Sequence, residues 1–117
     1  MLEILYYPEG NQGPVKEYLS ELAKDRPKAL ARLVLDLEVL GAEGLRSQQI
    51  TIRSLGDKLW ELKRLYDGIQ YRIFFGVGKG IVWLLHSIEK KSAKTSKNDL
   101  NLARKRLKEV LSDERFR

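Results

Sequence analysis

The chain has no cysteine, one histidine and one methionine among its 117 residues, and no window reaches the roughly 18 apolar residues that a bilayer-spanning helix needs. Each shortage closes off a class of function. Without cysteine the fold cannot rest on disulfides, and no thiolate can hold a metal. A single histidine excludes a paired-histidine centre for RNA transesterification. The acidic residues are scattered among helices and loops, whereas a two-metal nuclease needs several converging carboxylates. There is no G-x-S-x-G turn, no P-loop, and no G-x-G-x-x-G opening a helix, since Gly76, Gly78 and Gly80 fall in a hairpin pattern. The N-terminus MLEILYYPEG lacks a basic segment leading into a long apolar one, so the cytoplasm is the expected location, away from any membrane. No metal site and no cofactor are expected.

What is present suffices for one core. Apolar residues make up 43% of the chain, and its length suits a single domain over residues 1–117. The net charge of +6 is divided unequally: residues 1–56 carry seven Lys/Arg against eight Asp/Glu, and residues 57–117 carry fifteen against eight. Much of the excess lies in SIEKKSAKTSKNDL, where Lys90, Lys91, Lys94 and Lys97 stand between an apolar run ending at His86 and a helix starting near Asp99. Such a one-sided basic field attracts polyanions; an acidic protein partner or a plain solvated face satisfies it equally well.

ILYY, stopped by Pro8, Gly10 and Gly13, reads as a first strand. Pro14 opens a helix with Val15, Tyr18, Leu19 and Leu22 on one stripe, and Pro27 opens a second with Leu30, Leu33, Val34, Leu37 and Leu40, ending at Gly41 and Gly44. The two form an αα-hairpin whose stripes are read as core against a sheet. From Ile50 the period changes to two: ITIRSL is a weak strand, and LWELKRLY, IQYRIFFGV and IVWLLHSI are strong ones joined by hairpin turns. A last helix follows, with Ser96 as N-cap, Asp99 in the first turn, and Leu100, Ala103, Leu107, Val110 and Leu111 on one face. The expected fold is α+β, order β-α-α-β-β-β-α, with a small antiparallel-rich sheet and helices packed on one face.

The hairpins predict a register. A two-residue Asp67-Gly68 loop sets Leu62 opposite Ile73, Trp60 opposite Phe75, and Lys63 opposite Arg72. A three-residue Gly78-Lys79-Gly80 loop then sets Phe75 against Trp83, Ile73 against Leu85, and Arg72 against His86. Leu62, Ile73, Phe75, Trp83 and Leu85 share the helix-covered face, and Lys63, Arg72 and His86 line up across the helix-free one. A two-residue loop would instead turn His86 to the core. Two cations directly opposed across a sheet repel. An anionic ligand would account for them, or Glu61 and Asp67 neutralise them; His86 is structural or catalytic on the same evidence. Removing Arg72 is expected to relieve repulsion and leave the fold stable. The chemistry that survives these exclusions is metal-free phosphodiester chemistry, for which RNA is the suited substrate. There the 2′-OH is an internal nucleophile, and the protein has only to orient it, take its proton and stabilise the pentacoordinate dianion with Lys/Arg.

The run from LWELKRLYDGIQYRIFF through LLHSIEKKSAKT to the last helix resembles the RelE/ParE toxin superfamily, specifically its phage-derived, HigB-like branch, over about residues 45–110. The resemblance implies the fold just described, a toxin neutralised by a cognate antitoxin that is itself DNA-binding, and ribosome-dependent cleavage of mRNA. It matches Lys63, Arg72, His86, Lys90, Lys91 and Lys94 to the family's basic positions; with these, catalysis is expected of Lys63, Arg72, His86 and Lys91, and RNA binding of Arg64, Lys90, Lys94 and Lys97. Thr95 and Ser96 stand where RelE itself carries a base-stacking tyrosine, so another group must take that part. Some ParE members inhibit DNA gyrase without cutting RNA, which leaves a gyrase inhibitor or a non-catalytic nucleic-acid-binding module as the alternatives.

Overall fold

The computed structural model describes residues 1–90 and 96–112, and its sheet is laid out by three two-residue turns. Asp57-Lys58 (φ 51° and 69°), Asp67-Gly68 (52° and 78°) and Lys79-Gly80 (51° and 78°) each have positive φ at both positions, the type I′ geometry whose twist matches that of the flanking strands. They join β2 (Thr51–Gly56), β3 (Leu59–Tyr66), β4 (Ile69–Gly78) and β5 (Ile81–Lys90) into an antiparallel meander. The first strand, β1 (Glu3–Tyr6), pairs parallel with β5, giving the sheet order β1-β5-β4-β3-β2 among the described residues.

Helix α1 (Pro14–Asp25) buries Val15, Leu19 and Leu22, and α2 (Pro27–Glu43) buries Ala29, Leu33, Leu37 and Leu40. Each starts with proline, whose missing N–H is one that no helix start could satisfy. Pro27 also disfavours helical backbone at the residue before it; Arg26 accordingly leaves the helix at φ −142°, ψ 69° and becomes the corner of the hairpin. α1 and α2 cover one face of the sheet, in a core with Leu62, Tyr71, Ile73, Phe75, Val82 and Leu84.

The α+β class agrees with the sequence, and three details differ. The weak run ITIRSL forms a full strand, so the described order is β-α-α-β-β-β-β-α, one strand more than expected. The helices do not share a face. α3 (Lys97–Leu111) packs on the opposite side from the hairpin, where Ala103, Leu107 and Val110 meet Leu59, Phe74, Trp83 and Leu85. Trp83 and Leu85, expected beneath the hairpin, belong to this second core, so Lys63 and Arg72 are not on a helix-free face. Gly76 makes that seat possible: a Cβ there would lie 2.4 Å from the Leu107 Cδ1.

The third difference concerns register. Lys63 opposite Arg72, Leu62 opposite Ile73 and Trp60 opposite Phe75 are as expected. In the next hairpin, however, Gly78 stays in the strand and pairs with Ile81, leaving the two-residue loop Lys79-Gly80, so Phe75 faces Leu84 and not Trp83. A β-bulge between Phe74 and Phe75 then shifts the pairing again, setting Phe74 against His86 and Arg72 against Ile88. Leu85 is the extra residue. The bulge adds a second residue of slip to that of the shorter turn, which restores the alternation of faces and returns His86 to the Arg72 side of the sheet, opposite Phe74 and two residues along β4 from the position expected for it.

Candidate nucleic-acid interface

The α3 side of the sheet also carries Lys63 on β3, Arg72 on β4, and Ile88 and Lys90 on β5, brought near one another by the strand register. Arg72 is entirely buried. Its Nη1 donates to Glu61 Oε2 at 3.2 Å and its Nη2 to Gln70 Oε1 at 2.8 Å, while Arg53 Nε donates to the other Glu61 oxygen at 2.9 Å. A buried carboxylate between two guanidiniums thus offsets the repulsion expected between Lys63 and Arg72. Glu61 had been named from the sequence as a neutraliser and performs that role here. Burial changes what removing Arg72 does: a buried Glu61 would lose one of its two guanidinium partners, so the variant is destabilised and not relieved.

His86 sits against the first turn of α3. Its ring stacks on Phe74, with centroids 5.9 Å apart and planes 15° from parallel, and its Nε2 is 2.8 Å from Asp99 Oδ1. Asp99 Oδ2 accepts from the Ser96 hydroxyl at 2.5 Å and lies 3.9 Å from Lys90 Nζ. The Ser96 hydroxyl in turn accepts from the Asp99 backbone N–H at 3.2 Å, which makes Ser96 the expected N-cap. Burial raises the Asp99 pKa, but the hydrogen bonds from His86 and Ser96 and the charges of His86 and Lys90 outweigh it and hold the carboxyl below its usual range. Asp99 is therefore ionised at neutral pH.

The remaining site candidates divide by position. Lys97 opens α3 and is exposed, and Lys90 ends β5 with about a quarter of its side chain accessible (27%). Lys91 and Lys94 lie outside the described residues, as does Thr95. Arg64 is not with the others. Strand alternation turns it to the hairpin side, where Nε and Nη2 grip both oxygens of the buried Asp36 of α2 at 2.8 and 2.5 Å. The period of two that placed Lys63 already carried that signal. Part of the C-terminal charge is likewise used internally: Arg104 donates to the Leu55 carbonyl at 2.8 Å and Arg106 to that of Leu85 at 2.8 Å, both tying α3 to the sheet.

Sequence reasoning missed Asp99 as part of the site, having read it only as a favourable charge at a helix start. It also missed the support beneath β5. Glu89, on the hairpin side, accepts from Tyr18 and from Arg26 Nη2 (2.7 Å), and Arg26 Nη1 donates to Tyr71 at 2.9 Å. Burial, followed by the Glu89 hydrogen bond, pushes the Tyr18 phenol far above its ordinary range. This network fastens the strand end that carries Lys90 to the corner of the αα-hairpin. Among the described residues no three His, Asp or Glu side chains are grouped to hold a metal ion, and no helix is long and apolar enough to cross a membrane.

Comparison with known proteins adds one finding. A search of curated proteins and a search of solved structures returned no match. The family described as "Phage derived protein Gp49-like (DUF891)" matches residues 17–108, a span that includes most of the αα-hairpin, the whole meander and most of α3. That family lies within the RelE/ParE-like toxins and is associated with toxin-antitoxin systems, which implies an antitoxin partner. The chain belongs to the phage-derived Gp49-like family of the RelE/ParE-like toxin superfamily.

Proposed function

We propose that the protein is a toxin of the HigB-like kind that cleaves mRNA on the ribosome without a metal, and that a cognate DNA-binding antitoxin silences it in the cytoplasm. One observation carries the reading: on the side of the sheet shared with α3, the chain's only histidine lies within two strand pairs of the Lys63/Arg72 pair and shares the Asp99 carboxylate with Lys90. Such a set supports in-line attack by a ribose 2′-oxygen on the adjacent phosphorus. His86 takes the 2′-OH proton. Lys63 and Lys90 stabilise the charge on the phosphorane, and Lys91 is assigned to protonate the departing 5′-oxygen. The products are a 2′,3′-cyclic phosphate and a 5′-hydroxyl. Lys94 and Lys97 hold flanking phosphates. Arg72, enclosed by Glu61 and Gln70, is assigned to support the strand under Lys63 and not to contact the phosphate. Arg64, held on the far face by Asp36, drops out of the RNA-binding set.

The test is cleavage of mRNA in a reconstituted translation system containing EDTA-treated toxin, with magnesium returned only to the level that the ribosome requires. Cut transcripts ending in cyclic phosphate are expected from the wild type, with at least about a hundredfold loss in Lys63→Ala and in His86→Ala. Intact transcripts together with inhibited supercoiling by gyrase would replace this reading with the ParE-like one. Intact transcripts with no gyrase effect would leave a non-catalytic binding module.

A further inference from the structure

We infer that Asp99 is the positioning residue of the site: it fixes which nitrogen of His86 carries the proton and holds the imidazole edge-on to the first turn of α3. The inference rests on the RNA-cleaving reading for its purpose, but its structural content stands on geometry alone. An ionised carboxylate can only accept a hydrogen bond, so at 2.8 Å from Asp99 Oδ1 the His86 Nε2 must carry the hydrogen. In the neutral ring the lone pair is then on Nδ1, which becomes the atom able to take a proton. Two constraints define the ring. Stacking on Phe74 sets its plane, and the Asp99 bond sets its rotation within that plane. Asp99 is itself held from two directions, by the Ser96 hydroxyl and by Lys90, so the orientation of the imidazole depends on how α3 is seated. This is the base-and-orienter logic found wherever a carboxylate steers an imidazole, here built between a strand and the first turn of a helix. Leu85 lets it form: as the extra residue of the bulge it enters the α3 core while His86, the next residue, also faces α3.

The chain has one histidine, so a ¹⁵N spectrum of the imidazole reads His86 without assignment. In the wild-type protein with the imidazole neutral, the shifts should be those of a ring protonated on Nε2. A ring protonated on Nδ1, or one averaging between both forms, overturns the inference with no variant needed. Asp99→Asn and Asp99→Ala leave the Ser96 hydroxyl free to cap the backbone N–H of residue 99, so α3 should still form. Both should lose the single-tautomer spectrum. In the cleavage assay Asp99→Asn should lower kcat about a hundredfold with KM moved less than about threefold, and Asp99→Glu should recover part of it. Wild-type cutting with undiminished cutting by Asp99→Asn overturns the positioning role. If the wild type does not cut, the cleavage reading fails, and the tautomer spectrum still decides the Asp99–His86 arrangement.

Discussion

Arg72 marks the point at which a charge read as reactive becomes part of the framework. Its guanidinium and the Glu61 carboxylate are both fully buried, and an ion pair removed from water gains little net stability but is costly to break from one side. Arg72→Ala should therefore destabilise the protein by about 3 kcal/mol, read from urea unfolding followed by circular dichroism. Arg72→Met combined with Glu61→Leu should recover most of that loss, because it removes both charges and retains apolar volume. An alanine variant as stable as the wild type would show that Lys63–Arg72 repulsion dominates after all. Loss of toxicity in Arg72→Ala would thus not by itself identify a catalytic group, whereas loss in Lys63→Ala at unchanged stability would.

At the scale of elements, the position of α3 matters most. The helix reaches its seat because β4 has glycine at position 76 and because Arg104 and Arg106 close onto carbonyls of residues 55 and 85. Gly76→Ala forces its new methyl into the Leu107 side chain, which is buried and has little room to withdraw. The expected cost is about 1–3 kcal/mol, with partial recovery when Leu107→Ala is added, measured as a coupling in a double-mutant cycle. Displacing α3 also moves Asp99, so the His86 tautomer should lose definition in Gly76→Ala while the αα-hairpin core, on the other face, is unaffected. Additive effects of the two substitutions would mean that the helix does not depend on this contact.

Across the whole molecule the sheet separates two environments. The hairpin side holds the first core with a polar clamp at Arg26, and the α3 side carries the half-buried Lys63 and Lys90 and the exposed Lys97. If that side grips single-stranded RNA, each phosphate contact removed should flatten the plot of log affinity against log salt by about 0.7. Lys63→Ala, Lys90→Ala and Lys97→Ala should each do so with a non-cleaving His86→Ala background. Lys24→Ala, an exposed cation on α1, should leave the slope unchanged. Equal effects at all four positions would mean that overall charge, and not this face, draws in the RNA.

The αα-hairpin, the meander, the Ser96 cap and the Lys63–Arg72 pair were legible in the chain because each depends on local chemistry: proline at a helix start, Asp-Gly at a turn, and a side-chain period of two that propagates a register outward from that turn. The same logic put Arg64 on the opposite face, had it been applied one residue further. Tertiary structure alone decided the rest. Lys79-Gly80 and Gly78-Lys79-Gly80 are both acceptable hairpin loops on local grounds, and the choice between them, like the bulge at Leu85, is set by which residues the second core must receive from β5. α3 carries an apolar stripe that fits either side of a sheet; the gap left by Gly76 and the hairpin already occupying the first face determine which side it takes. Burial of Arg72 and the meeting of Asp99 with His86 follow from that choice, because contacts between segments distant in sequence depend on packing of the whole chain and leave no periodic trace in either segment.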